Sequence, residues 1–445
     1  MYDASYIFTV GGGVITLNCV VLDVRGVLSS DGASSNSPLG GGGAGGSISI
    51  TSGTLSGSST GIISANGGSA LPSPATVEYS GGGGGGRISL SLLNPNLFDG
   101  VINAIGGTGF QNGGAGTIYI LDRTGGGSSI TLNNADATGG QTFLTEELSI
   151  DSLTLSNGTT LLVSCPLAVD NIIGDQSSTL QLTNGSILSP KSGSSGSVST
   201  FAPLNLRLMM LGGQLNHSSL DIGAQSVLEL TELGTSTSAN TLGIYAFQTI
   251  LVRPFGLVQF SYHDILAASA SDIRITLFCE SLWIQSNGSL QSDGGGYAGS
   301  SYSTAGIVNA TLYYGTGMGS YEAIGGSGGS HIGVGGSSPF TTAAATYGSG
   351  TVPIDFGSGG GGSFDGIQGG SGGGGTIHFN VYCLYLALAY FKNLCTSLVI
   401  LINCSSIQVD GVLSVNGLSG NSSGAGGGIY SLLHLHFSKD PQRYK

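Results

Sequence analysis

The stretch ITLNCVVLDVRGVLSSDG, residues 15–32, recurs along this chain and decides its fold. It returns as ITLFCESLWIQSNGSLQSDG at residues 275–294 and in part as SSIQVDGVLSVNG at residues 405–417. TGIISANGG at residues 60–68 and DGVINAIGG at residues 99–107 are shorter relatives. All five contain two glycines six residues apart, and such internal similarity is typical of repeat architectures.

Each copy predicts a short strand that reaches a tight turn. Apolar residues alternate with polar ones, as at Leu22 and Val24 before Gly26, and a period of two is that of a β-strand. We expect glycine at this turn because it adopts backbone angles that a Cβ forbids.

A run of glycines precedes most copies and leads into a strand of the form x-Ile-x-apolar. One such unit cannot bury its apolar face alone, but stacked copies can form a continuous core. We therefore predict an all-β fold, a right-handed parallel β-helix or solenoid with long glycine-rich loops. A β-sandwich array or a propeller is the alternative. The run appears as GGGVITL, GGSISI, GGRISL, GAGTIYI and GGGTIHF, which contain Ile15, Ile48, Ile88, Ile118 and Ile377.

Composition divides the chain into five segments. Residues 1–130 are predicted to be glycine-rich solenoid units, and residues 131–290 more regular units with few glycine runs. Residues 291–380 hold glycine-rich loops and a strand, and residues 381–403 form an apolar insertion. Residues 404–445 contain a resumed unit and an irregular C-terminal tail.

The apolar insertion interrupts one repeat unit. The strand isoleucine and the turn glycine are 11 residues apart after Ile15 but 34 apart after Ile377. Removing residues 381–403 restores the spacing of 11 and brings Cys404 to the position of the repeat cysteine. We interpret the segment as an insertion, either real or translated intron sequence. The alternative is a membrane span over residues 381–402, whose length suits a transmembrane helix.

The charge of the chain excludes one class of partner. Only 8% of the residues are charged and the net charge is −13, whereas nucleic-acid binding needs a clustered basic surface. We predict no nucleic-acid partner, and an extracellular polysaccharide or a surface protein as the partner classes. Membrane contact is expected only if residues 381–402 are a true span.

Asn-x-Ser/Thr sequons support an extracellular or cell-surface location. They are acceptors for N-glycosylation in secreted proteins. The residues after Met1 lack the basic start and apolar core of a secretory signal, so we expect the chain to be a fragment. The predicted glycosylation positions are Asn157, Asn184, Asn216, Asn287, Asn309, Asn403 and Asn421.

The cysteines are predicted to be structural. Cys19 and Cys279 each follow a repeat isoleucine by four residues, so we expect stacked, buried and unpaired thiols. No spacing indicates zinc, and we expect no cofactor. Asp31, Asp293 and Asn416 share one repeat position, where capping of a turn is the expected role. A calcium ladder is the alternative role for these three residues.

Residues that could carry catalysis are sparse. Carbohydrate-active β-helix enzymes need paired carboxylates, or a basic residue beside an acidic cluster, and the sequence contains no dense constellation of this kind. We assign the neighbours His263 and Asp264 to a loop, and the pair His434 and His436 to a solvated strand face. We assign Trp283 to the core. The sequence predicts no enzyme. A carbohydrate-binding or lyase- or hydrolase-like β-helix protein is the alternative.

The glycine-rich motifs carry a resemblance to a known group of proteins. GGGGAGGSISI, SANGG, GGGGGGRISL and GGAGTIYI resemble large glycine-rich cell-surface proteins of plants, sponges, amoebae and unicellular relatives of animals. The resemblance covers nearly the whole chain and rests on low-complexity motifs. It implies a β-helical extracellular segment that is structural or adhesive, and it supplies no catalytic residue. The chain departs from the pattern at residues 381–403 and after Tyr430.

Overall fold

The described secondary structure is entirely β-strand, which confirms the all-β class. The chain divides into two compact units, Met1–Ser197 with Ala202–Met209, and Val198–Phe201 with Met210–Lys445. The computed structural model of the protein describes residues 9–36, 40–71, 80–136, 139–191, 200–223, 225–231, 233–236, 242–261, 275–292, 337, 377–381, 400–410, 412–414 and 431–432.

The described residues of the first unit form fifteen complete strands. Its largest sheet has the order β1-β3-β5-β8-β9-β11-β13-β15, in which β8 and β9 are antiparallel and the other neighbouring strands are parallel. Parallel pairs also form the orders β2-β4-β7 and β10-β12-β14. The strands are β1 (Val14–Val24), β2 (Val27–Ser29), β3 (Ser47–Gly57), β4 (Ile62–Ser64), β5 (Arg87–Leu92), β6 (Leu97–Phe98), β7 (Val101–Asn103), β8 (Thr117–Asp122), β9 (Gly127–Asn133), β10 (Gln141–Leu144), β11 (Leu148–Ser156), β12 (Thr160–Val163), β13 (Pro166–Ile173), β14 (Thr179–Thr183) and β15 (Ile187–Ser189).

Parallel pairing continues within the second unit. One sheet has the order β16-β19-β22-β24-β27-β26-β29, and another contains β20-β23-β25-β28. The boundary between the two units falls within β17. The strands are β16 (Thr200–Phe201), β17 (Arg207–Leu211), β18 (Gln214–Leu215), β19 (Ser219–Ile222), β20 (Val227–Thr231), β21 (Thr235–Ser236), β22 (Ile244–Val252), β23 (Leu257–Ser261), β24 (Ile275–Ile284), β25 (Ser289–Gln291), β26 (Ile377–Val381), β27 (Ile400–Val409), β28 (Val412–Ser414) and β29 (Ser431–Leu432).

The repeat isoleucines stack in register in the first unit. Ile15 pairs with Ile48, Ile48 with Ile88, and Ile88 with Ile118. Ile48 and Ile88 are each 1% exposed. Because burying such a side chain stabilises a fold by roughly 1.5–3 kcal/mol, the ladder fixes the register between neighbouring repeats. A slip of one residue would turn every isoleucine to the other face.

Strand β27 shows where the repeat resumes after the apolar segment. Ile275 pairs with Ile400, and Ile377 pairs with Ile400 from the other side. Residues 400–403, which the sequence assigns to the insertion, therefore lie in β27. Residues 382–399 lie outside the described part of the chain.

Two of the turn glycines, Gly61 and Gly100, have a different role from the one predicted. Neither Gly61 nor Gly100 has a φ in the left-handed region. A Cβ on Gly61 would lie 2.3 Å from the backbone oxygen of Val24, and a Cβ on Gly100 would lie 2.2 Å from that of Gly61. The expectation of special backbone angles is therefore wrong at both positions. Glycine is needed there because the backbones of neighbouring turns touch.

The glycine runs before the strands are regular. Within residues 41–46, Gly42 donates its amide hydrogen to the oxygen of Gly81 at 3.1 Å, and Gly45 donates to that of Gly84 at 2.9 Å. Every third amide therefore points to the same neighbouring run. Three residues per turn is the period of a polyproline II helix, which has no internal hydrogen bonds.

The amides one residue later point to a second neighbouring segment. Gly43 donates to the oxygen of Ala33 at 2.9 Å, and Gly46 donates to that of Ser30 at 2.7 Å. Residues 41–46 are thus part of a hydrogen-bonded layer rather than an irregular loop. Since buried amides must find partners, this bonding explains how the runs stay ordered without strand pairing.

Close packing in this layer excludes side chains at two positions of every three. A Cβ on Gly85 would lie 2.2 Å from the oxygen of Ala104, and a Cβ on Gly86 would lie 2.0 Å from that of Gly46. At Gly84 the nearest atom would be 4.0 Å away. The low-complexity composition is therefore a packing requirement with a period of three.

Candidate functional site

The predicted glycosylation positions differ in exposure. Asn184, Asn216 and Asn287 are exposed, and Asn157 is half-buried. Asn403 lies in β27, where its backbone pairs with Phe278 and Asn380. Asn309 and Asn421 lie outside the described residues. Three of the positions are thus accessible to a modifying enzyme in the folded chain.

Asn157 is held in a corner of the fold. Its Nδ2 donates to Oδ1 of Asn133 at 2.9 Å, and its backbone amide donates to the carboxylate of Asp175. Thr159, the third residue of the sequon, is 1% exposed and donates its hydroxyl to the oxygen of Ser156. Both ends of this sequon therefore make internal hydrogen bonds.

Asp31 links two neighbouring repeats. Its Oδ1 accepts the backbone amide of Asn66 at 2.6 Å, and its Oδ2 accepts the hydroxyl of Ser64 at 3.0 Å. Asn66 accepts the backbone amide of Ile105 at 2.8 Å in the same way. Asp31 thus caps the backbone of the next repeat. A capping role was predicted for this position, although for a turn. Asp293 and Asn416, which share that position, lie outside the described residues.

A mixed-charge cluster on β11 and β13 escaped the sequence analysis. Lys191 Nζ lies 2.6 Å from Oδ1 of Asp151, and the backbone amide of Lys191 donates to Oδ1 of Asp170 at 3.0 Å. The backbone amide and hydroxyl of Ser128 donate to Oδ2 of Asp151 at 2.6 and 2.9 Å. The hydrogen bond from Lys191, followed by those from Ser128, lowers the pKa of Asp151 to about 2.

This cluster holds the segment after β15 against the sheet. A carboxyl group with a pKa near 2 is ionised at neutral pH, so Asp151 cannot act there as a general acid. The sequence signal for the cluster is the recurrence of Leu-x-Ile/Val-Asp at Leu148 and at Leu167, which pair in register. Lys191 carries no comparable signal, because it approaches from a segment after β15.

Trp283 lies on an outer face of β24. It is 42% exposed, and its Nε1 donates to Oδ2 of Asp410 at 3.1 Å. Its neighbours Leu282 and Ile284 are buried instead. The assignment of Trp283 to the core is therefore wrong, because the corner of the long strand shifts the alternation of inward and outward positions.

The cysteines fall into two groups. Cys279 is 6% exposed and disulfide-bonded, so the expectation of an unpaired thiol is wrong at this position. Cys19 is a free thiol, as expected, but it is only half-buried. Cys165 is free and buried, and burial raises the pKa of its thiol. Its Sγ donates to the backbone oxygen of Glu146 at 2.9 Å, which suits a structural role.

The histidines include one buried ring. Both ring nitrogens of His217 lack a hydrogen-bond partner, and the ring centroid lies 5.3 Å from that of Phe201. Burial lowers the pKa of His217 to about 4, so the ring is neutral at pH 7. His263, Asp264, His434 and His436 lie outside the described residues. Among the residues that are described, no three His, Cys, Asp or Glu side chains group as metal ligands would.

The outer side of the first sheet presents a regular array of small polar side chains. These residues occupy outward positions of β1, β3 and β5, and every one is exposed or half-buried. Thr16 pairs with Ser49 and Ser49 with Ser89. Two residues further along the strands, Asn18 pairs with Thr51 and Thr51 with Ser91, which forms a second row. We call this array the hydroxyl face and define it by Thr16, Asn18, Ser49, Thr51, Ser89 and Ser91.

Comparison with known proteins adds no relative. No protein-family model, curated protein or solved structure matches the chain. Within the described ranges, no helix is long and apolar enough to cross a membrane. The proposed span over residues 381–402 falls largely outside those ranges.

Proposed function

We propose that the chain is a non-catalytic structural or adhesive segment of a secreted or cell-surface protein, built as a right-handed parallel β-helix with glycine-rich stretches between its strands. The observation that carries the proposal is the in-register parallel pairing of strands from successive repeats. Ile15, Ile48, Ile88 and Ile118 are joined in this way in one sheet. Parallel connections within one sheet are right-handed in about 98% of cases, which supports the proposed hand.

Several features support an extracellular location. Cys279 is disulfide-bonded, and disulfides persist in oxidising compartments but are rare in the cytosol. Asn184, Asn216 and Asn287 are exposed in the described structure. A stack of repeats with few charged residues suits a spacer or an adhesive stalk, because each repeat is held by its neighbours.

Expression in two compartments tests the proposal. The chain is produced in eukaryotic cells once with a secretory leader and once without it. We expect the secreted form to be folded, oxidised at Cys279 and glycosylated, and the cytosolic form to be less stable. Circular dichroism, thiol labelling and glycan mapping provide the readouts. A cytosolic form that is as stable as the secreted form, together with a secreted form that lacks glycans, would refute the extracellular assignment.

A further inference from the structure

The hydroxyl face is an ordered lattice of hydrogen-bonding groups. Neighbouring strands of a sheet lie about 4.8 Å apart, and alternate residues of one strand lie about 6.7 Å apart. Because Thr16, Ser49 and Ser89 are paired in register, their side chains follow these two spacings. Each hydroxyl can donate one hydrogen bond and accept two. The face therefore offers evenly spaced donors and acceptors without a large desolvation cost.

Two arginines without carboxylate partners border this lattice. Arg87 is exposed and lies in register with Ser47 and Thr117. Arg123 is exposed, and its Nε donates to Oγ of Ser91 at 3.1 Å. Neither arginine pairs with a carboxylate of the described residues, whereas Arg25, Lys191 and Arg253 each have an aspartate partner. The two arginines of this sheet that lack a carboxylate partner thus both lie beside the hydroxyl face.

The face is positive although the chain is acidic. The outward positions of β1, β3, β5 and β8 that lie in register with Arg87, Ser89 and Ser91 contain no Asp or Glu, whereas the whole chain has a net charge of −13. Asp23 is exposed further along β1, where it is paired with Arg25. Guanidinium groups bind carboxylates through two parallel hydrogen bonds. A ligand that matches this surface has carboxylates spaced among many hydroxyl groups.

We infer that the hydroxyl face, together with Arg87 and Arg123, binds an acidic polysaccharide whose sugar units carry carboxylates. The inference rests on the proposed adhesive function and names the partner of that surface. Arg87 and Arg123 bind the carboxylates, and the rows of Ser, Thr and Asn bind the sugar hydroxyls. The net charge of the chain opposes the approach of any polyanion, so this contact depends on the two arginines and on the absence of carboxylates from the hydroxyl face.

Binding of sodium polygalacturonate to the full-length secreted chain tests the inference, with neutral dextran as the comparison polymer. We expect polygalacturonate to be bound and dextran not to be bound, and binding should weaken as salt is added. The double variant Arg87→Gln with Arg123→Gln should lose at least about tenfold in affinity, because its charge-assisted hydrogen bonds to the carboxylates are lost. Thr51→Glu should weaken binding similarly, by placing a like charge within the face.

Thr249→Glu is the matched control, because Thr249 is an exposed strand threonine in the second unit. It should leave binding unchanged, and circular dichroism should show that all variants fold. Equal binding of dextran, or unchanged binding by the arginine and Thr51→Glu variants, would overturn the inference. Failure to bind polygalacturonate would also overturn it. The structural function would survive that result if the secreted chain were folded, oxidised and glycosylated.

Discussion

Cys279 lies directly opposite Cys404 in the parallel pair β24–β27. Adjacent strands are about 4.8 Å apart, which is within the Cα separation of roughly 4.4–6.8 Å that a disulfide spans. Cys279 is disulfide-bonded, while Cys19 and Cys165 are free. The backbone register therefore makes Cys404 the expected partner of Cys279, and this linkage closes a stretch of chain that includes residues 291–380.

Peptide mapping under non-reducing conditions should recover a Cys279–Cys404 linkage. Cys404→Ser should lower the free energy of unfolding by roughly 2–4 kcal/mol, because a disulfide that closes a long loop restricts the unfolded chain. Cys19→Ser is the control, since Cys19 is free and only half-buried, and it should change stability little. Recovery of Cys279 linked to Cys383 or Cys395 would contradict the assignment.

The repeat pattern made the strand register predictable from sequence. Ile15, Ile48, Ile88 and Ile118 occupy equivalent positions in the motifs, and they pair in the structure. This success has a physical cause, because a buried period-two pattern tolerates no slip. Cys404 was likewise placed correctly opposite Cys279.

The remaining features depend on contacts between residues that share no pattern. Lys191 reaches Asp151 from a segment after β15, and sequence spacing alone does not show such an approach. The hydrogen bonds of Gly42 and Gly45 follow a period of three, which a run of identical residues conceals. Trp283 was misassigned because the corner of a long strand breaks the alternation of burial.

The glycine layer predicts opposite effects for two adjacent substitutions. Gly85→Ala should destabilise the protein by about 1–3 kcal/mol or more, because the new Cβ would lie 2.2 Å from the oxygen of Ala104 and the backbone must shift. Gly84→Ala should be neutral or stabilising by about 0.4–1 kcal/mol, because the site has room and the unfolded chain loses entropy. Urea unfolding of both variants measures the difference. Equal destabilisation by the two alanines would argue against the three-residue period.

Glycan occupancy should follow the exposure of the sequons. In the secreted chain we expect glycans at Asn184, Asn216 and Asn287, and the lowest occupancy at Asn157. The Nδ2 atom of Asn157 donates to Asn133, and the residue is half-buried. Glycopeptide mass spectrometry measures the occupied fraction at each position. Occupancy at Asn157 equal to that at the exposed positions would contradict this expectation.

The cluster around Asp151 predicts a loss of stability in acid. Hydrogen bonds from Lys191 and Ser128 lower the pKa of Asp151 to about 2, whereas an unfolded aspartate has a pKa of about 3.9. Because the folded pKa is the lower one, this contribution is complete above the unfolded pKa and disappears as pH falls through about 2. Denaturant unfolding measures the free energy of unfolding of the wild type and of Asp151→Asn. The difference between the two should shrink as the pH falls from 5 to 2.

Two variants identify the source of this pH dependence. Lys191→Met removes the strongest partner of Asp151, so it should raise the pKa of Asp151 and reduce the stability lost between pH 5 and pH 2. Asp99→Asn is the control for removing one exposed carboxylate, and it should keep the wild-type profile. A wild-type profile in Lys191→Met would show that the pair with Lys191 does not set the acid response. The hydrogen bonds from Ser128 would then be its only remaining source in the cluster.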